Sequence, residues 1–184
     1  MLRKILIGIT AALVLLVLVI AVQPSTFHVE RSVKVAGPPE RAFALVNDFR
    51  SWTAWSPYEK KDPAMKRSYG GPTSGTGATY HWVGNTDVGE GRMTIVKSTP
   101  SEVSVKLDFI EPFESTAAAT FSFTPVAEGT KVTWAMDGDT NFFGKAIHLV
   151  LPMEKIVGGD FEQGLGALKG VAERAPAGEV ASAR

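Results

Sequence analysis

Three histidines, His28, His81 and His148, and a scatter of carboxylates are the side chains of this 184-residue chain able to do acid–base or metal chemistry. His28 and His81 alternate with apolar neighbours, which points both to water, and His148 stands alone in a later helical stretch. Nothing in their spacing brings the three to one metal ion. Asp108 has the opposite parity to Val105, Leu107 and Phe109, so it faces outward. Glu90, Arg92 and Glu111 fall at strand ends, and Asp137 and Asp139 follow the last apolar strand positions; all read as edge or turn charges. No serine has a recognisable nucleophile context. Gly75-x-Gly77 and Gly89-x-Gly91 lack the strand-to-helix setting of a nucleotide fingerprint. Cysteine is absent, which excludes disulfides, thiolate catalysis and thiolate metal sites. The sequence thus carries no cofactor or metal motif.

The other concentration of chemically distinctive residues is aromatic. Trp52, Trp55 and Pro57 sit in a long segment, Asn47 to Pro57, that reads as a loop, and Tyr58 follows it directly. They either plug one end of a core or form the rim of a pocket mouth or a membrane contact, where tryptophan and tyrosine are favoured.

These residues need a scaffold, and periodicity supplies it. Phe27, Val29, Arg31, Val33 and Val35 alternate with polar residues and predict a strand. Gly37-Pro38-Pro39 breaks it, and Ala42, Phe43 and Val46 predict a short helix. Further strand signals follow: a weak one over Lys66–Tyr69, then Ala78–Val83, Glu90–Ser98, Val103–Phe109, Ser115–Thr124 and the stretch around Val132, Trp134 and Met136. Short turns between them imply an antiparallel meander with one apolar face. A short helix is expected over Phe142–Leu151, stopped by Pro152. Met153, Ile156, Val157, Phe161, Leu165, Leu168 and Val171 then follow helical spacing, an amphipathic helix able to cover the sheet. Gly158-Gly159 is a candidate kink within it.

Ahead of all this, Arg3 and Lys4 lead into an uncharged run, Ile5 to Val22. As a helix it covers roughly 27 Å, close to the ~30 Å of a bilayer core. Residues 1–23 are expected to be a transmembrane anchor, with a cleaved signal peptide or a buried core helix as the alternatives. The leading basic residues place the N-terminus in the cytoplasm and the following domain outside it. Lys plus Arg equals Asp plus Glu at 19 each, and no basic stripe appears, which argues against nucleic-acid binding. Residues 176–184 read as a flexible tail.

Arg31-Ser32-Val33, Pro39-Glu40-Arg41-Ala42-Phe43, Asn47-Asp48-Phe49-Arg50-Ser51-Trp52 and Trp55-Ser56-Pro57 resemble the opening of the polyketide cyclase/dehydrase group of the START-like SRPBCC superfamily. Gly75-Thr76-Gly77-Ala78-Thr79-Tyr80-His81-Trp82 and Gly89-Glu90-Gly91-Arg92-Met93 fit the same pattern. The resemblance covers residues 27–175. It implies an α+β helix-grip fold, a curved antiparallel sheet wrapped around a long C-terminal helix. Members bind lipids, sterols, polyketides or hormones, and some are enzymes. No catalytic set shared across the group transfers to this chain, and the N-terminal anchor lies outside the shared domain.

The inward-facing residues then have two readings, an ordinary core or the wall of a cavity between sheet and helix. On the second, Trp52, Trp55, Tyr80, Trp82, Met93, Phe109, Phe121, Phe123, Trp134, Met136, Phe161 and Leu165 are the candidate ligand contacts. Glycines on the long helix remove side-chain volume there, and tyrosine and tryptophan add polar tips that want partners. The expected function is binding of a hydrophobic small molecule (a lipid, an isoprenoid or a polyketide-like compound) by a membrane-tethered domain. A cyclase- or dehydratase-like enzyme, needing an internal acid–base residue, and an envelope interaction module with a closed core are the alternatives.

Overall fold

The computed structural model describes residues 1–174; the expected tail and the final residue of the expected domain lie outside the described residues. Helix α1 (Leu2–Ala21) precedes strand β1 (Thr26–Val35) and helix α2 (Pro39–Asn47). A 3-10 turn (Phe49–Ala54) and the short helix α3 (Pro57–Lys61) follow. Then come β2 (Lys66–Gly70), β3 (Thr79–Val83), β4 (Glu90–Thr99), β5 (Glu102–Glu111), β6 (Ser115–Val126) and β7 (Gly129–Asp139), and finally α4 (Phe142–Val150) and α5 (Met153–Arg174). All seven strands form one antiparallel sheet in the order β1-β7-β6-β5-β4-β3-β2. Register shifts at Glu90/Gly91 and Ile95/Lys97 bend β4. The sheet curves around α5, giving the helix-grip architecture.

Period-two alternation decides which strand residues face α5. Val29, Tyr80, Trp82, Met93, Ile95, Val105, Phe121, Phe123, Trp134 and Met136 are buried on the inner face, opposite Val157, Phe161, Leu165 and Leu168 of the helix. Trp134 stacks on Phe161 with centroids 4.0 Å apart and planes 11° from parallel. This close seating needs Gly164, because a Cβ there would lie 2.9 Å from Trp134 Cζ3 and 3.0 Å from Pro57 Cδ. At the other end of the contact, Arg31 of β1 reaches under α5. Its Nε donates to Glu162 and its Nη1 to Glu154, both at 2.7 Å. A Cβ at Gly158 would fall 2.5 Å from that guanidinium.

These contacts revise two expectations. Gly158-Gly159 does not break α5, which runs without interruption from Met153 to Arg174. Gly158 and Gly164 do not open space; they admit Arg31 and Trp134 to the helix backbone, so they tighten packing instead of creating a void. The segment Asn47–Pro57 also differs from the expected loop. Asp48 accepts from the Arg50 amide at 2.9 Å and starts the 3-10 turn, which drives Trp52 and Trp55 inward. Their indole nitrogens donate to the Val46 and Leu45 carbonyls, each at 3.0 Å, satisfying groups that the end of α2 leaves free.

Helix α1 is, among the described residues, the one helix long and apolar enough to cross a membrane, a test that a signal sequence also passes. Only Ile20 in it is buried, so it is not a core helix of the domain.

Two glycine substitutions separate close packing from plain helix propensity. Gly166→Ala, which meets nothing within 4 Å, should stabilise the fold by up to about 1 kcal/mol. Gly164→Ala should destabilise it by about 1–3 kcal/mol through overpacking. Denaturant unfolding followed by tryptophan fluorescence reads both.

Candidate functional site

Where the sheet curves away from α5, a cavity of about 460 Å³ opens. This lies in the range of roughly 300–1,000 Å³ usual for small-molecule sites. Its inner end is set by Trp52 from the 3-10 turn, Ser56, Glu59 of α3, Tyr80 and Trp82 of β3, Trp134 of β7 and Phe161 of α5. Met93, Leu107, Phe109, Ala117, Ala119 and Met136 from consecutive strands form the floor. Met153 and Val157 form the roof. Apart from Asp87 in the β3–β4 loop, the exposed lining residues belong to the β5–β6 turn, Glu111 to Thr116, and to α4 with the residues just before it, including Asn141, Phe143 and Ile147. The mouth therefore lies between that turn and α4.

Two glycines shape the walls. A Cβ at Gly91 would lie 2.5 Å from the Trp82 ring, and one at Gly138 would lie 2.5 Å from the Phe27 ring. Each glycine lets an aromatic side chain lie flat on the neighbouring strand. Trp82 Nε1 donates to the Val88 carbonyl at 3.0 Å, so this tryptophan turns only its apolar ring surface to the cavity.

Of the residues singled out from the sequence, Trp52, Tyr80, Trp82, Met93, Phe109, Trp134, Met136 and Phe161 line the cavity. Trp55, Phe121, Phe123 and Leu165 are absent from its walls. They belong to the closed half of the core, where Trp55 and Phe121 pack edge to face at 5.9 Å and Phe121 stacks on Trp134 at 4.9 Å. The physical reason is depth: the Trp134–Phe161 stack divides the space under α5, and these four lie on its filled side. The three histidines lie apart from one another. His28 pairs with Asp137 at 2.7 Å, His81 with Glu90 at 2.9 Å, and His148 packs on Phe27. Among the described residues, no group of three or more His, Asp or Glu side chains is placed to hold a metal ion.

Sequence reasoning passed over Glu59. It lies in the charged stretch Tyr58-Glu59-Lys60-Lys61, which reads as surface. Pro57 at the first position of α3 turns it inward, and its side chain is only 6% exposed. Tyr80 donates its phenolic hydrogen to Glu59 Oε1 at 2.7 Å, and Arg67 Nε donates to Oε2 at 2.6 Å. Arg67 is further held by the Met65 carbonyl at 2.8 Å. The result is a carboxylate and a phenol at one end of an apolar cavity, with the Arg67 guanidinium bracing the carboxylate from outside the lining. Burial, reinforced by the hydrogen bond to Glu59, pushes the Tyr80 phenol well above its ordinary range. The only legible trace was Tyr80 itself, an inward tyrosine whose hydroxyl required some partner.

Tyr80→Phe should cost about 1–3 kcal/mol, because it strands one oxygen of a buried carboxylate. The pH dependence has a definite sign. The protonated phenol is favoured in the folded state, so its contribution is complete below the unfolded value of 10.0 and is lost as pH rises toward the higher folded value. Stability should fall above pH ~10 more steeply in the native chain than in Tyr80→Phe, measured by unfolding across that range.

No curated protein matches this chain. Solved structures do. A protein from Chromobacterium violaceum superposes with a TM-score of 0.57 at 14% identity, covering 83% of this chain and 100% of its own. The di-domain ARO/CYC BexL of the BE-7585A biosynthetic pathway gives 0.60 at 14%, covering 85% of this chain and 53% of its own. The di-domain ARO/CYC StfQ of the steffimycin pathway gives 0.58 at 13%, with 80% and 51% covered. At these identities the likeness is one of fold. Residues 26–173 match the family described as polyketide cyclase/dehydrase and lipid transport, and with most of its length accounted for by that match and by the helix-grip architecture, this chain belongs to that family.

Proposed function

We propose that residues 27–175 form a domain that binds one hydrophobic small molecule (a lipid, an isoprenoid or a polyketide-like compound) and that residues 5–22 hold it to a membrane as a single-pass anchor. The observation that carries this reading is the cavity. Its walls are mostly aromatic and aliphatic, Glu59 and Tyr80 place polar atoms at the inner end, and the mouth is open and rimmed by polar residues such as Glu111, Glu114 and Asn141. Such a site buries apolar ligand surface, and its few polar groups select orientation. The Arg3-Lys4 pair ahead of the apolar run supports a cytoplasmic N-terminus and an extracytoplasmic domain. Tethering supports the same function, since it keeps the site beside a reservoir of apolar molecules.

The direct test is solvent extraction of the full chain purified in lipid nanodiscs, with mass spectrometry of what is released. Ala117→Phe provides the comparison, because Ala117 lines the floor and a phenyl group there fills the cavity without removing a contact. An apolar compound present with the native chain and depleted at least about tenfold with Ala117→Phe is expected, a loss of ~1.4 kcal/mol or more in binding. Identical extracts would refute the reading.

A second reading, an enzyme acting on a polyketide-like substrate, is favoured by one observation, the Glu59–Tyr80 pair in the wall with Arg67 bound to Glu59. A carboxylate hydrogen-bonded to a phenol can relay a proton to a bound carbonyl or hydroxyl. On this reading Glu59→Gln retains the compound found by extraction but loses turnover of a β-ketone substrate by at least about a hundredfold. Unchanged turnover in Glu59→Gln would remove Glu59 from any chemistry.

A further inference from the structure

Helix α4 is amphipathic in the reverse of the usual sense. At about 100° per residue, Leu149, Phe142, Ala146, Val150, Phe143 and Ile147 fall within an arc of roughly 160°. Much of that arc is exposed: Val150 is 84% exposed, Phe143 60% and Phe142 51%, while Ala146 is half-buried and Phe143 and Ile147 also border the cavity. The opposite side carries Gly144 and His148. Gly144 sits against Thr140, and His148 packs on Phe27. The small and polar residues thus contact the domain, and the large apolar ones point outward. Phe113 at the tip of the β5–β6 turn, 63% exposed, joins the stripe by packing on Phe143 at 5.7 Å. Apolar surface gathered in this way marks an interaction site.

The place of α4 in the chain says what covers it. Only Val22, Gln23, Pro24 and Ser25 separate α1 from β1. The Ser25 carbonyl accepts from the Thr140 amide at 2.7 Å, and Lys145 Nζ of α4 reaches the Ala21 carbonyl at 3.5 Å. The chain leaving α1 is therefore clipped to the residue just before α4 and to α4 itself. Wherever α1 ends at a bilayer surface, α4 lies at that surface. A second copy seated on the stripe would compete with the lipid that surrounds α1 at the same level.

We propose that α4 and Phe113 form a lipid-docking surface, with the apolar stripe of α4 lying in the interfacial layer of the membrane that α1 crosses. An interfacial helix of this kind buries its apolar face about 5–10 Å below the headgroups. Phe113, Phe143 and Ile147 also line the mouth of the cavity, so docking brings that mouth against the acyl chains. Ligand then passes between bilayer and cavity without crossing water. The inference rests on the reading of α1 as a membrane span; it does not need the cavity's occupant to be known.

The absence of cysteine makes the test direct, because each introduced cysteine is the sole thiol. Phe142→Cys and Val150→Cys, together with Leu13→Cys in α1 and Val126→Cys at the far end of β6, are labelled with a nitrobenzoxadiazole fluorophore. Each full chain is reconstituted in phosphatidylcholine vesicles containing spin-labelled phosphatidylcholine. Labels at 142 and 150 should be quenched at least about twofold, more strongly by a spin label high on the acyl chain than by one near its end, with blue-shifted emission. The label at 126 should be unaffected and that at 13 quenched. If 13 is quenched while 142 and 150 behave like 126, docking is refuted with the anchor intact. If 13 is also unquenched, the span and the docking surface fall together. Disulfide-linked dimers of Phe142→Cys on mild oxidation, in place of quenching, would assign the stripe to a second copy and overturn the proposal.

Discussion

The height of α5 above the sheet is the constraint on which the rest of the structure depends. It is set where Trp134 lies flat on Phe161 with no Cβ at position 164 to hold the helix away. On one side of that stack the space closes. Trp55 and Phe121 fill it with edge-to-face rings, Trp52 packs between them and the cavity, and α2 supplies the carbonyls that the two indoles need. On the other side the strands continue beyond the reach of the helix side chains, and the gap is the cavity. Core and binding site are thus two halves of one space, divided by one aromatic contact. Arg31, clamped between Glu154 and Glu162, keeps the helix from sliding along β1 and so fixes where the division falls.

The electrostatic arrangement inside is unusual for a site so apolar. Burying Glu59 in the wall with Arg67 paired to it incurs desolvation that a pair of well-packed hydrophobic residues would avoid, so stability does not explain the pair. It does give the inner end of the cavity a direction. The Tyr80 hydroxyl commits its hydrogen to Glu59, which leaves its oxygen lone pairs as the acceptors a bound molecule would meet. The rest of the lining offers mainly ring faces and methyl groups.

How much of this was legible in the chain depends on the range of the interaction involved. The strands and the cover helix were legible because their side chains obey local periods, and Tyr80, Trp82, Trp134 and Met136 fell on the inner face for that reason. Telling cavity from core was not a matter of period. Phe121 and Phe109 have the same parity on neighbouring strands, yet only Phe109 meets open space, because the outcome depends on how far α5 extends over each strand. Glu59 was hidden by its lysine neighbours, and its partners, Arg67 and Tyr80, arrive from two other strands. The outward-facing stripe of α4 was equally hidden, since a periodic apolar stripe in a sequence does not say which side faces the protein.

The way the chain leaves α1 also has a mechanical meaning. Strand β1 pairs with β7 from Thr26↔Asp139 to Val35↔Thr130, and only the four residues Val22 to Ser25 separate its first rung from α1. On the proposed reading of α1 as a membrane span, any pull on that helix would reach the domain along β1. In an antiparallel pair pulled along the strand axis, the cross-strand hydrogen bonds share the load instead of opening one by one. Residence of the folded domain under tension is then governed by the rate of breaking that ladder. The strand that begins the fold would then serve as its mooring line, and α5, held to it through Arg31, would take up the strain together with the sheet.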